Sequence, residues 1–149
     1  MTDPAFAWRS VQTTDLNMFE IGDGYIPHLI VMEAEVLAEA REKKAKHLLP
    51  YQVELVVEVT SRSNAASDRQ PNRNRKVGTK WSGYAHAGIP YYLLVDRDPK
   101  ACVTALYADL DTRAGTYVEL RNWPFGESIR LPQPFGFEIS TEHWDHWDD

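Results

Sequence analysis

The sequence predicts a mixed α/β fold, on three observations. Val53–Thr60 and Tyr91–Val95 are nearly continuous apolar runs rich in strand formers, a density that implies burial on both faces. The chain between them holds a polar stretch and a short helical segment, long enough for a crossover between parallel neighbours, with a right hand expected. Turn signals at Gly22-Asp23-Gly24 and at Gly115 lie between strand-like runs and add antiparallel hairpins. The expected architecture is one α+β domain over residues 1–149, a central mixed sheet flanked by helices, with 142–149 as a tail.

Taken in order, Val11–Phe19 and Tyr25–Met32 read as the strands of the first hairpin, and Pro27 puts the second at a sheet edge or a strand start. Glu33–Leu49 is rich in Ala, Leu, Glu and Lys and is predicted helical, stopped by Pro50. Ser61–Val77 has Asn, Ser, Pro and Arg and almost nothing apolar, so it is predicted to be a loop. Thr79–Ala87 is a short helix closed by Gly88 and Pro90. Asp96-Arg97-Asp98-Pro99 ends the strand 91–95 as a turn, which accounts for both aspartates. Cys102–Tyr107 and Thr116–Trp123 form the second hairpin. The Pro-rich run around Leu131-Pro132-Gln133-Pro134 is expected to cross the surface, and the tail from Trp144 to Asp149 to fray.

Composition bounds the function. With 43% hydrophobic and 26% charged residues, the 149-residue chain is an ordinary globular mix, large enough for a real core. No apolar run approaches the roughly 20 residues of a membrane span. The first residues lack a charged-then-apolar export signal. Cys102 is the single cysteine, which excludes an internal disulfide and a multi-cysteine metal cage and fits a reducing, cytoplasmic setting. The net charge of −6 hides an asymmetry, because ten of the sixteen basic residues, against four acids, fall between Arg41 and Lys80. Such a patch attracts a polyanion, although a solvated helix face and a charged loop would give the same composition.

Glu58 is the most informative residue. Alternation puts Glu54, Val56 and Glu58 on one face of the strand and Leu55, Val57 and Val59 on the other. A carboxylate so deep in apolar surroundings costs several kcal/mol unless a cation or donor meets it, or unless the strand tip reaches water. Glu54, nearer the entry end, is expected in solvent. Lys80 opens the short helix, where its charge opposes the macrodipole, so a partner for it is worth seeking. A carboxylate that holds a hard cation, with a lysine that steadies the attacking water or the developing charge, is a constellation for metal-dependent hydrolysis. His143 and His146 share a face if helical, but lack the further ligands a metal needs. His86 is read as packed or solvated. Ser61 and Ser63 have no His/Asp partner at a recognisable spacing, and no phosphate-binding Gly loop is present.

Glu54-Leu55-Val56-Val57-Glu58-Val59-Thr60-Ser61, then Ser63-Asn64, Asp68-Arg69, and Lys80 through Tyr84-Ala85-His86-Ala87-Gly88-Ile89-Pro90 to Asp96, resembles the Uma-type family of bacterial restriction endonucleases. That family is part of the PD-(D/E)XK nuclease superfamily, and the likeness runs from roughly Gly24 to Thr141, with Gly126-Glu127 and the Leu131–Phe137 run in its C-terminal region. The resemblance implies a restriction-endonuclease-like core and hydrolysis of DNA phosphodiesters by metal-activated water, with Mg²⁺ as the family's ion. It implies Glu58 as a metal carboxylate and Lys80 as the catalytic lysine, moved from the strand onto the next helix. Ile26-Pro27-His28-Leu29 matches the family's Pro-Asp strand, so His28 stands where the first metal-ligating aspartate is expected. Imidazole binds Mg²⁺ poorly and suits Mn²⁺ or a softer divalent ion.

The same scheme gives Arg62, Arg69, Arg73, Arg75 and Lys76 to DNA phosphates, contacts that position the duplex without reading its sequence. Two further departures stand beside His28. Relatives usually carry a longer N-terminal part, with a helix that adds another metal-site glutamate upstream of this start. Gln70–Thr79 is also longer than the family pattern. These departures keep a second reading open: a catalytically degenerate nuclease-fold module that binds DNA or self-associates without cleavage. Cutting both strands of a duplex would favour a two-fold homodimer.

Overall fold

The computed structural model describes residues 7–12, 16–18, 23–25, 29–44, 48–63, 65–71 and 79–148. In chain order the elements are β1 (Trp8–Gln12), β2 (Leu16–Met18), β3 (Asp23–Tyr25), β4 (Leu29–Glu33), α1 (Ala34–Glu42), a 3₁₀ turn (Pro50–Gln52), β5 (Leu55–Val59), α2 (Ala65–Asp68), α3 (Lys80–His86), β6 (Tyr91–Asp96), β7 (Val103–Asp111), β8 (Thr116–Pro124), β9 (Ile129–Arg130) and β10 (Glu138–Ile139). Six of the strands form one mixed sheet in the order β1-β4-β5-β6-β7-β8. The β5–β6 pair is parallel, with Glu58 opposite Leu94, and every other pair in the sheet is antiparallel. The two most apolar runs of the sequence thus form the parallel pair at the centre of the sheet, as expected for strands buried on both faces.

Strand alternation sends the core to two sides. Val56, Tyr92, Leu94 and Tyr107 meet Trp81 and Tyr84 of α3 on one face. Leu55, Val57, Leu93 and Val95 meet Ile129, Leu131 and Phe135 of the C-terminal segment on the other. The Pro-rich run is therefore the second layer of the domain, because no described helix covers that face. The tail is docked instead of frayed. The Arg97 guanidinium donates to the carbonyls of Asp145 (2.9 Å) and His146 (3.2 Å), the Trp147 N–H returns a bond to the Arg97 carbonyl (2.9 Å), and the Trp144 ring meets Phe125 edge-on.

Three local expectations are corrected. The first strand begins earlier than Val11, at Trp8, whose buried ring lies 4.7 Å from that of Phe135. β1 pairs with β4, while β2 pairs with β3, so Asp23 and Gly24 belong to a strand and not to the reversal. The Pro27 expectation lies outside the described residues. Helix α1 stops at Glu42, well short of Leu49: it buries Leu37 and Ala40, and the two residues directly after it, Lys43 and Lys44, are exposed charges. A helix draws most of its stability from packing an apolar face, and here that face runs out. Pro50 opens the 3₁₀ turn instead of ending the helix.

Within the predicted 61–77 loop lies a one-turn helix, α2, which buries Ala65 and Asp68. α3 closes at Gly88 as the sequence predicts, with φ +86° past the last turn, while Thr79 stands just outside the helix as its cap, its Oγ1 accepting the Ser82 N–H at 3.3 Å. His86 is exposed, and its ring lies against Gly115 in the β7–β8 turn. There φ is +67°, and a Cβ would run into the imidazole. No helix among the described residues is long and apolar enough to cross a membrane.

Candidate active site

Glu58 lies on the helix face of β5 and is 0% exposed, so it meets donors of the protein and not water. Its Oε1 accepts the Tyr84 hydroxyl at 2.7 Å, and its Oε2 accepts Lys80 Nζ at 3.1 Å. Lys80 and Tyr84 are four residues apart on α3, the spacing that puts two side chains on one helix face. Lys80 Nζ also lies 3.6 Å from Oδ1 of Asp68, a second carboxylate with 0% exposure. One ammonium thus stands between two buried carboxylates, and at 25% side-chain exposure it is the part of the group that reaches solvent. The partner expected for a lysine at a helix start is a pair of carboxylates.

α2 places Asp68, and two tethers place α2. The Tyr92 hydroxyl donates to the Asp68 carbonyl at 2.7 Å. Burial, then the charges of Asp68 and Glu58, hold the Tyr92 phenol well above its ordinary pKa, so it stays a donor. Arg69 turns the other way. Its Nε donates to Asp96 Oδ2 at 2.8 Å and one terminal nitrogen reaches Asp96 Oδ1 (2.9 Å) and Asp98 Oδ2 (3.0 Å). Thr60 completes the corner by donating to Asp96 Oδ1 at 3.3 Å and accepting the Arg97 N–H at 2.8 Å. The two aspartates read as turn residues are therefore also the anchors of Arg69, whose guanidinium has a structural task.

The structure brings Glu58 and Lys80 together as the sequence suggested and adds Asp68 and Tyr84, which stand in the matching motif but were given no site role. The helical spacing from Lys80 was a usable signal for Tyr84. Asp68 gave only its place in the Asp68-Arg69 pair, in a segment almost free of apolar residues. Glu54 is half-buried, not solvated, and burial, with the charge of Glu33, raises its pKa. Arg62 is exposed, and the Ser61 and Ser63 hydroxyls lie 3.3 Å from one another. His28, Arg73, Arg75 and Lys76 lie outside the described residues. His143 and His146 are exposed, and among the described residues no three His, Cys, Asp or Glu side chains gather as a metal cage. The donor chemistry of Glu58 and Asp68 nonetheless fits a hard cation: both are carboxylates, and the cavity between them already stabilises one positive charge.

The Arg69 fork carries a pH prediction. Asp98 is held below its ordinary value of 3.8 by the Lys100 N–H that it accepts and by Arg69. A carboxyl depressed in the folded state contributes stability that is fully present above the ordinary value and is lost as pH falls through the lowered one. Arg69→Gln is therefore expected to lower the urea midpoint more at about pH 7 than at about pH 3. An equal loss at both would mean that the fork acts by packing alone.

Comparison with known proteins gives this geometry a family. The Uma2 family, described as "Putative restriction endonuclease", matches the chain over residues 9–142. No curated protein matches it. Among solved structures, the crystal structure of a protein from Anabaena variabilis ATCC 29413, titled a putative nuclease, aligns with a TM-score of 0.60 at 13% identity. The alignment covers 93% of this chain and 68% of that one, a likeness of fold. The family match spans Glu58, Asp68, Lys80 and Tyr84 together with every strand of the sheet but the first residue of β1, and the chain belongs to the Uma2 family.

Proposed function

We propose that this chain hydrolyses phosphodiester bonds of DNA with the help of a divalent metal ion. The observation that carries this reading is the wholly buried Glu58, held by Lys80 and Tyr84 at the face of a nuclease-type sheet. Glu58, with Asp68 beside it and His28 at the position that matches the family's aspartate, would hold the ion. A hard divalent ion would supply Lewis acidity toward the phosphate and make water more acidic at neutral pH. Tyr84 fixes one oxygen of Glu58, which leaves the other to the cation that faces it. Lys80, the solvent-reaching member, can turn its ammonium toward a phosphate oxygen and stabilise charge that develops there. Arg62, Arg73, Arg75 and Lys76 would meet phosphates along the duplex. Arg69, already held by Asp96 and Asp98, is left out of that set.

The test is nicking of supercoiled plasmid with Mg²⁺ or Mn²⁺, alongside calorimetric titration of each metal. The parent is expected to work better with Mn²⁺, because a histidine ligand disfavours Mg²⁺. His28→Asp should strengthen Mg²⁺ binding and raise cleavage, and Glu58→Gln should cut cleavage by about a hundredfold or more. A parent that neither binds metal nor nicks DNA would overturn the hydrolytic reading in favour of a DNA-binding or self-associating module.

A further inference from the structure

β8 ends the sheet, and no described strand pairs with its outer edge. It is nine residues long and presents Val118, 67% exposed, and Leu120, 47% exposed. Long apolar edge strands are templates for strand addition, and natural proteins usually blunt them with lysine, proline or a bulge. Here Pro124 removes a donor only at the last position of the strand. Glu119 and Arg121, near the middle, pair with each other at 2.6 Å in water.

The hydrogen-bond parity of this edge can be read from one bond. The Phe125 N–H donates to the Cys102 carbonyl at 2.9 Å, in line with the register that sets Trp123 opposite Thr104 and Arg121 opposite Leu106. Opposed residues of an antiparallel ladder alternate between bonded and non-bonded pairs. Trp123, Arg121 and Glu119 therefore bond to β7, while Asn122 and Leu120 turn their N–H and C=O groups outward; the ladder is interrupted at the next position, where Val118 would face Asp109 with its φ of +53°.

We propose that β8 pairs antiparallel with β8 of a second copy of this chain, across a two-fold axis at Leu120. Outward groups can meet outward groups only when the axis passes through a residue, and the central choices are Glu119, Leu120 and Arg121. An axis at Glu119 sets that carboxylate against itself, and one at Arg121 sets guanidinium against guanidinium. An axis at Leu120 puts Leu120 against Leu120, Val118 against Asn122 of the second copy, and each Glu119 against the other copy's Arg121. It is the one central register in which every charge meets its opposite. The interface stands apart from Glu58 and Lys80, so it holds or fails independently of the proposed hydrolysis.

Sedimentation equilibrium over the micromolar to millimolar range tests it. The parent should show a reversible monomer–dimer equilibrium, weakened about tenfold or more by Arg121→Glu or by Glu119→Arg alone. The double swap Glu119→Arg/Arg121→Glu should restore it. An equimolar mixture of the two single variants should also associate, because each then offers the charges the other needs. Both positions carry side chains open to solvent, so circular dichroism should not change. A parent that stays monomeric, a dimer indifferent to Arg121→Glu, or single variants that fail to associate when mixed would each overturn the proposal.

Discussion

Lys80→Met is expected to lower the unfolding free energy by about 3–5 kcal/mol, the cost of leaving buried charge without its counter-charge. Glu58 and Asp68 are both fully buried, and the ammonium of Lys80 lies within 3.6 Å of each. Removing it leaves two fully buried carboxylates without the ammonium between them, while Glu58 keeps the Tyr84 hydroxyl. Adding Glu58→Gln to Lys80→Met should recover most of the loss, since one of the two charges goes with it. Mn²⁺ should raise the melting temperature of Lys80→Met more than that of the parent if the carboxylates accept an ion in place of the ammonium. Urea unfolding followed by the fluorescence of the five tryptophans gives the measurement. A loss under about 1 kcal/mol would reduce the triad to a surface-type ion pair.

Trp81→Ala should cost about 3–5 kcal/mol and remove hydrolysis with it. α3 has only seven residues, too few to hold as an isolated helix, so tertiary packing must hold it in place. Trp81 supplies that packing: it is 5% exposed and meets the rings of Tyr107 and Tyr117 edge-on at 6.0 and 5.8 Å. Tyr117 is itself fastened by a 2.7 Å bond from its hydroxyl to the Ile89 carbonyl just past the helix. Losing the indole leaves Tyr84 and Ala85 to dock the helix without its largest anchor, and Lys80 and Tyr84 lose their fixed place over Glu58. Trp81→Phe should cost far less, because a ring remains in contact and the indole N–H, which has no hydrogen-bond partner among the described residues, is removed. Equal losses from the two changes would mean that contact with the tyrosines is not what holds α3.

The parts of this fold legible in the sequence are those whose causes are local. Leu55–Val59 and Tyr91–Val95 declare themselves by apolar density, and Gly88 closes α3 by its own chemistry. Glu58 was legible as a contradiction, a carboxylate inside an apolar strand, and Lys80 as a charge at the wrong end of a helix. What could not be read was set by distant partners. Trp8 starts β1 early because Phe135 waits at the other end of the chain. Asp68 sits in polar sequence and is buried because Tyr92 and Lys80, both remote in sequence, close over it. The tail looked frayed because its fastening is Arg97, inside what reads as a simple turn.

Asp68 and Arg69 are adjacent in the chain and hold on to opposite things, one to the ammonium of Lys80 and the other to Asp96 and Asp98. Together they act as a rivet through the connection from β5 to α3. Beyond Arg69, the next fastening among the described residues is the Thr79 hydroxyl, which starts α3 independently. A span with both ends fastened pays for extra length only logarithmically, about 0.6 kcal/mol for each doubling. A foreign peptide grafted between 71 and 79 should therefore leave the alignment of Glu58, Asp68 and Lys80 undisturbed, because the fastenings that set it lie outside that stretch.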